Sequence, residues 1–224
     1  MKRLICRGFC MAVPTSVIAD FILVAKEHTA QFPLTLCDAM IAKFGRDPFR
    51  ILCSCLISLR ARDTVTTPIC LKFFEKVSTP EQLRATSQEE LEKIFFSVGF
   101  YKTKARVLHE VAVALCENFD GKVPANEEEL LTLPGVGRKT ANLVLSMAFG
   151  VPAICVDVHV HRLANGLGWV MTKTPEETEL ALQKIVPRDL WGEVNRQLVL
   201  LGQNGCLGKK KSGHACPLLR IAKI

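Results

Sequence analysis

Apolar residues recur along this chain at helical intervals, with polar residues between them. Leu91, Ile94, Phe95 and Val98 show the pattern, because residues three and four positions apart lie on one face of an α-helix. No segment alternates convincingly with a period of two. Residues 153–160 come closest, but their second half fits a helix better. The pattern predicts an all-α protein with nine or ten short helices.

Cap signals mark where several of these helices begin. A Ser, Thr, Asp or Asn followed by proline, or by Glu or Gln three positions later, typically precedes an α-helix. The chain carries such signals at Asp47, Thr79, Ser87, Asn126 and Thr174. In contrast, Pro68 fits poorly inside a helix that starts at Asp63, so that helix is expected to begin late or to kink.

Composition narrows the class of protein and its compartment. Hydrophobic residues make up 49% of the 224 positions and aromatic residues only 7%, which indicates an aliphatic core. Lys and Arg outnumber Asp and Glu by 29 to 22, a moderate excess that suits a polyanion such as nucleic acid or an anionic membrane. Ten cysteines, mostly inside apolar runs, are typical of buried thiols in a reducing compartment. The longest apolar run, 143–156, is too short to span a bilayer, so we expect a cytoplasmic protein.

The stretch LPGVGRKTAN, residues 133–142, lies between two helical patterns and predicts a helix, a tight turn and a second helix. Gly135 and Gly137 allow positive φ and leave backbone N–H groups uncovered. Together with the positive end of the second helix, these donors suit a phosphate. On spacing alone, a purely structural corner with a solvated Lys139 is the alternative.

This stretch resembles the helix–hairpin–helix of the endonuclease III family of DNA glycosylases. Three further segments match the family in order and spacing: SLRARD at 58–63, GFYKTKA at 99–105 and VDVH-x-x-R at 156–162. The resemblance covers most of the chain, from about Pro33 to Cys216.

The resemblance implies two helical domains, with DNA and the active site in the cleft between them. A helical barrel domain is expected at 40–151, containing the helix–hairpin–helix at about 127–149. A second domain would combine 1–39 with 152–224. The expected partner is double-stranded DNA that contains damaged bases or abasic sites, and the protein is expected to act as a monomer.

The resemblance also assigns the catalytic residues. In the family, the lysine at the position of Lys139 attacks C1′ of the damaged nucleotide, forms a Schiff base and leads to β-elimination. The attacking amine must be neutral. The helix N-terminus and Arg138 disfavour the ammonium, but the helix dipole contributes only ~0.3–1 kcal/mol, so desolvation by DNA or a nearby base must contribute more. Asp157 is the candidate base and could stabilise the cationic sugar, besides capping a helix.

These assignments imply a bifunctional DNA glycosylase/AP lyase acting on oxidised pyrimidines. An AP lyase with little base excision and a noncatalytic DNA-binding relative remain alternatives.

Further DNA contacts follow from the resemblance. Arg60 takes the place of an inserting glutamine, and Phe100 that of an apolar wedge, although a solvated loop and core packing are the respective alternatives. The other expected DNA-binding residues are Lys104, Gly135, Val136, Gly137, Arg138, Lys209, Lys210 and Lys211.

Most family members end with four cysteines that hold a [4Fe–4S] cluster, spaced C-x6-C-x2-C-x5-C. This chain matches the first and third positions with Cys206 and Cys216, but has Gly213 and Ala222 at the others. Two thiolates cannot hold a cluster that needs four. We therefore expect no cluster and no metal ion, unless the missing ligands come from elsewhere in the chain.

Overall fold

A computed structural model of the protein describes residues 13–205 and Leu218, and this part of the chain contains helices and no strand. The predicted all-α class is confirmed. The helices are α1 Thr15–Thr29, α2 Leu36–Phe44, α3 Pro48–Ser58, α4 Asp63–Phe73, α5 Pro80–Ala85, α6 Gln88–Ile94, α7 Tyr101–Asn118, α8 Glu127–Thr132, α9 Arg138–Phe149, α10 Val158–Gly166, α11 Pro175–Ile185 and α12 Trp191–Gln203, with a 3-10 turn at Arg188–Leu190.

The described residues thus hold more helices than the nine or ten predicted for the chain. Three of them, α5, α6 and α8, have only six or seven residues. No described helix is long and apolar enough to cross a membrane.

The five predicted cap residues all cap helices. Each side chain accepts a hydrogen bond from the backbone N–H three residues later, at 2.8–3.3 Å. Of the two alternatives for the helix at Asp63, the late start is wrong, because α4 begins there and continues past Pro68. The kink stays a prediction. Thr66 and Cys70 on either side of the proline are fully buried, and this packing outweighs the missing hydrogen bond.

The buried apolar side chains form two clusters. The first runs from Leu36 to Ala153 and centres on α3, which packs against α9. The second combines α1 with residues from Ile154 onward, including α10 and α12. The chain therefore passes from one cluster to the other between Ala153 and Ile154. The buried apolar side chains of α2 pack in the first cluster, whereas the predicted domain limit at residue 40 falls inside that helix.

Candidate active site

A cleft of about 540 Å³ opens where the two clusters meet, and both Lys139 and Asp157 line it. Lys139 is the second residue of α9 in the first cluster, and Asp157 directly precedes α10 in the second. Arg60, Asp63 and His159 line the same cleft. The fold thus brings the two predicted catalytic residues to one cavity from opposite clusters.

A second cleft, of about 620 Å³, lies elsewhere along the junction of the clusters. Arg46, Ser146 and Arg188 are among its lining residues, but none of the predicted site residues is. The smaller cleft is therefore the one that carries the candidate chemistry.

Lys139 is exposed, and neutral thiols lie within reach of its charge. Burial raises the pKa of the Cys155 thiol to about 12, and the positive charge of Lys139 opposes this shift only in part. A hydrogen bond with the Cys37 thiol and burial likewise raise the pKa of Cys55. These thiols stay protonated at neutral pH, so they supply Lys139 with no counter-ion.

Asp157 caps α10 as predicted. Its Oδ1 accepts hydrogen bonds from the N–H groups of His159 and Val160, both at 2.9 Å. Its Oδ2 has no hydrogen-bond donor among the described residues. The cap therefore fixes the direction of the carboxylate and leaves one oxygen available to a substrate or to Lys139.

Two asparagines that the sequence argument missed hold the segment leading to Asp157. The side-chain amide of Asn142 on α9 donates to the Ile154 carbonyl at 3.2 Å, and that of Asn195 on α12 donates to the Cys155 carbonyl at 3.0 Å. Asn142 lies on the buried face of α9, one turn after Lys139. A polar residue on an apolar helix face was the signal that could have identified it.

Of the two hairpin glycines for which positive φ was expected, only Gly135 has it. Gly135 has a φ of +72°, and an added Cβ would lie 2.7 Å from Val107 Cγ1, so glycine is required there. Gly137 has a φ of −101°, which any residue can adopt, and an added Cβ would meet no atom within 4 Å. Positive φ thus explains Gly135 only, while Gly137 keeps the start of α9 free of a side chain.

Only one of three backbone N–H groups in the turn, at residues 135–137, has an acceptor among the described residues. The N–H of Val136 donates to the Leu133 carbonyl at 3.1 Å, and its side chain is buried. The N–H groups of Gly135 and Gly137 have no acceptor in the part of the chain that the structure describes. Val136 therefore supports the turn by packing, contrary to the expected DNA contact, and the two glycines supply the free donors.

Arg138 has a protein partner, which the sequence argument missed. Its Nε and Nη2 donate to the carboxylate oxygens of Glu179 on α11, with both of the closest distances 3.0 Å. The Glu179 side chain is only 6% exposed, and this pairing raises the pKa of Arg138. The guanidinium is thus engaged within the protein, while its side chain stays 47% exposed and the expected DNA contact stays a prediction. Glu179 offsets the repulsion that Arg138 was expected to exert on Lys139.

Lys104 cannot make the expected DNA contact. It is 7% exposed, and its Nζ has no hydrogen-bond partner in the described residues. Burial lowers its pKa, with the nearby Cys70 acting in the opposite direction. Tyr101, Lys104 and Leu108 follow helical spacing along α7, so Lys104 lies on the face that packs into the core.

Arg60 and Phe100 both stand exposed, each at the start of a turn into a new helix. Phe100 is 63% exposed, which excludes core packing as its role. Both residues have positive φ, at +54° and +61°. The Arg60 guanidinium lies 5.8 Å from the Phe100 ring centre, so two separate loops form one projecting surface beside the cleft.

Cys206, Cys216 and the lysines at 209–211 lie outside the described residues. Within the described part, no group of three or more His, Cys, Asp or Glu side chains is arranged to hold a metal ion. The expected absence of a cluster therefore stays a prediction.

Comparison with known proteins identifies the family of this chain. Residues 53–188 match the HhH-GPD superfamily of base excision DNA repair proteins. The chain is 49% identical to endonuclease III of Thermotoga maritima over 71% of this chain and 75% of that protein, and 35% identical to endonuclease III of Bacillus subtilis over 79% and 81%.

A solved structure of a trapped endonuclease III–DNA covalent intermediate matches with a TM-score of 0.79 and 32% identity, over 93% of this chain and 95% of that one. The residues that match the HhH-GPD superfamily, 53–188, include the hairpin, Lys139 and Asp157. The chain belongs to the HhH-GPD superfamily of base excision DNA repair proteins, and within it to the endonuclease III group.

Proposed function

We propose that this DNA glycosylase/AP lyase removes oxidised pyrimidines through a Schiff base on Lys139 and then nicks the abasic strand by β-elimination. One observation carries the proposal: Lys139 and Asp157 line a single cleft from opposite sides of the junction between the two clusters. The covalent endonuclease III–DNA intermediate solved for a relative supports the same chemistry here.

The first step is the release of the base. The neutral Lys139 amine donates its electron pair to C1′, and the bond between C1′ and the damaged base breaks. The base leaves with the bonding electron pair and takes a proton from water. The free Oδ2 of Asp157 can take the proton that the lysine must lose. The same carboxylate stabilises the positive charge that develops on the sugar. The protonated thiols nearby add no competing negative charge.

The second step is strand cleavage. The nitrogen electron pair then forms a C=N bond to C1′ as the C1′–O4′ bond of the sugar ring breaks. O4′ takes the proton that Asp157 received, which gives a protonated Schiff base between Lys139 and C1′. A base removes a proton from C2′, and the C3′–O bond to the phosphate breaks, which leaves a nick on the 3′ side. The electron pair of the broken C–H bond forms the C2′–C3′ double bond, so no oxidant or reductant is needed.

DNA binding would use the free donors of the hairpin and the projecting loops. The N–H groups of Gly135 and Gly137 suit one phosphate at the positive end of α9. The exposed Phe100 ring and Arg60 suit the gap that an extruded nucleotide leaves in the duplex. The protein has a formal net charge of +7, which favours binding to the phosphate backbone of DNA. We propose that it acts on the DNA of the cytoplasmic nucleoid.

We also propose that the chain carries no [4Fe–4S] cluster, because its C-terminal sequence supplies two of the four expected cysteines. Iron analysis and the visible absorption spectrum of the purified protein test this directly. A colourless protein without iron supports the proposal, and about four iron atoms per chain would overturn it.

One assay separates this function from its alternatives. The protein is incubated with duplexes that carry either an oxidised pyrimidine or an abasic site, and borohydride is added to reduce any Schiff base. We expect a covalent adduct on both duplexes. An adduct on the abasic duplex alone would indicate an AP lyase with little base excision. No adduct on either would indicate a noncatalytic DNA-binding protein.

A further inference from the structure

We infer that Glu179 is a positioning residue for this reaction. Acting through Arg138, it fixes the start of α9, and with it Lys139, relative to Asp157. The inference rests on the proposed function, since it concerns the placement of the proposed nucleophile. Nothing in the sequence pattern pairs these two residues, which lie 41 positions apart.

The contact between them is a two-pronged ion pair. Arg138 Nε donates to Glu179 Oε2 and Nη2 donates to Oε1, both at 3.0 Å, and the Gln183 amide supports Oε1 at 3.3 Å. Two parallel hydrogen bonds fix the angle of the guanidinium as well as its distance. Glu179 is almost fully buried, so it contributes a fixed anchor on α11.

The ion pair joins the two clusters at the N-terminal end of α9, which carries Lys139. The chain itself crosses between the clusters just beyond the other end of this helix, after Phe149. Twelve residues at about 1.5 Å each make α9 roughly 18 Å long. The covalent connection alone therefore leaves the Lys139 end distant from the point of attachment, and Asn142 supports α9 only partway along. Arg138, the neighbour of Lys139, supplies the bond at the end itself.

In an alternative role, Arg138 contacts a DNA phosphate, and Glu179 only binds its side chain in the absence of DNA. The two roles differ in what they change. A phosphate contact supports the affinity for DNA, whereas a positioning pair supports the rate of reaction in the complex. Because Glu179 is buried and negatively charged, it does not itself bind DNA phosphate.

The test compares Glu179→Gln, Arg138→Gln and the double variant. Two quantities are measured for each: the single-turnover rate of the borohydride-trapped adduct at saturating abasic duplex, and the Kd for a duplex with an uncleavable abasic analogue. We expect each single variant to lower the rate about tenfold to a hundredfold, since small misplacements of a nucleophile have effects of this size. The Kd should change by no more than about threefold. The double variant should be no slower than the slower single variant, because the two residues act as one unit.

Two controls keep the result interpretable. Lys26→Gln removes another ion pair between helices, Lys26–Glu193 at 2.8 Å within the second cluster, and should leave both quantities unchanged. Arg138→Gln leaves the buried Glu179 charge unpaired and is the variant most at risk of misfolding. Glu179→Asp keeps the charge on a shorter arm, so it should retain a rate between those of the wild type and Glu179→Gln. Melting temperatures of all variants show which of them are folded.

The outcomes separate the inference from the proposed function. If the wild type forms an adduct but Glu179→Gln reacts at the same rate, the inference is overturned and the proposed function stands. If Arg138→Gln weakens binding while the rate at saturation is unchanged, Arg138 is a phosphate contact and the inference is again overturned. If the wild type forms no adduct, the proposed function fails, and the inference fails with it.

Discussion

The guanidinium of Arg60 lies 5.8 Å from the ring centre of Phe100, and both residues hold the left-handed backbone conformation. For a residue with a side chain, this conformation costs roughly 1–2 kcal/mol. Two such residues meet at one exposed surface beside the candidate active site. Strain of this kind is typical of functional loops, which supports a role for the pair in filling the gap left by an extruded nucleotide.

Replacing Phe100 by glycine separates that role from stability. Glycine relieves the backbone strain but adds flexibility to the unfolded chain, so the free energy of unfolding should stay within about 1 kcal/mol of wild type. The rate of base excision from a paired lesion should fall about tenfold or more, because no ring fills the gap that the extruded nucleotide leaves in the base stack. Single-turnover kinetics on paired and single-stranded substrates measure the difference.

Phe96 provides the matched control for this variant. It is 70% exposed, and its ring meets the ring of Tyr101, the residue that follows Phe100, edge-on at 5.2 Å between ring centres. Phe96→Gly should leave the ratio of rates on paired and single-stranded substrates unchanged. Equal losses for Phe96→Gly and Phe100→Gly would contradict the wedge role.

The two hairpin glycines should respond differently to substitution. Serine at Gly137 fits sterically and can cap α9, so stability should stay the same or rise by a few tenths of a kcal/mol. Its hydroxyl would accept from N–H groups of the first turn of α9. The added side chain would also stand beside the Gly135 and Gly137 donors proposed for phosphate, so the Kd for duplex DNA should weaken about tenfold. Alanine at Gly135 should lower the free energy of unfolding by about 1 kcal/mol or more, because of its φ and of Val107.

Titration of duplex DNA by each glycine variant, together with thermal melting, checks both effects. Wild-type affinity in Gly137→Ser would show that the start of α9 does not bind phosphate.

Two substitutions of Asp157 distinguish its cap from its chemistry. Asparagine caps a helix about as well as aspartate, so Asp157→Asn should keep its stability. It lacks the negative charge, and the rate of adduct formation should fall at least about a hundredfold. Asp157→Ala loses the cap as well and should lower the free energy of unfolding by about 0.5–2 kcal/mol. Adduct formation at the wild-type rate in Asp157→Asn would limit this residue to a structural role.

The buried Lys104 should make stability depend on pH. Burial lowers its pKa in the folded protein, so the unfolded chain binds this proton more strongly. Stability therefore rises with pH between the lowered pKa and about 10.4, the ordinary value for lysine. Burial raises the pKa of the neighbouring Cys70 to about 12, so little of its thiol is ionised in this range and it offsets little of the desolvation of Lys104.

Lys104→Met should accordingly be more stable than wild type at pH 7, by about 1 kcal/mol or more. The difference in free energy of unfolding between the variant and wild type should shrink as the pH approaches 10. Denaturant titrations of both proteins at several pH values measure the difference. A methionine variant that is less stable at pH 7 would show that the ammonium has a partner worth more than its desolvation.

Local signals predicted much of this fold, and long-range pairings account for what was missed. The caps at Asp47 and Asp157 could be identified from a few neighbouring residues, because a cap and its helix lie within four positions. The pairing of Arg138 with Glu179 depends on how two clusters meet, which no local pattern contains. The Lys104 prediction was wrong because its charge was weighed above its place on the apolar face of α7.

The central claim is that Lys139 forms the covalent bond to the sugar. Mass spectrometry of the borohydride-trapped adduct, after digestion of both protein and DNA, identifies the modified residue directly. We expect the sugar fragment on the peptide that contains Lys139, and no adduct from Lys139→Ala. A fragment attached to any other amine, or an undiminished adduct in Lys139→Ala, would contradict the account.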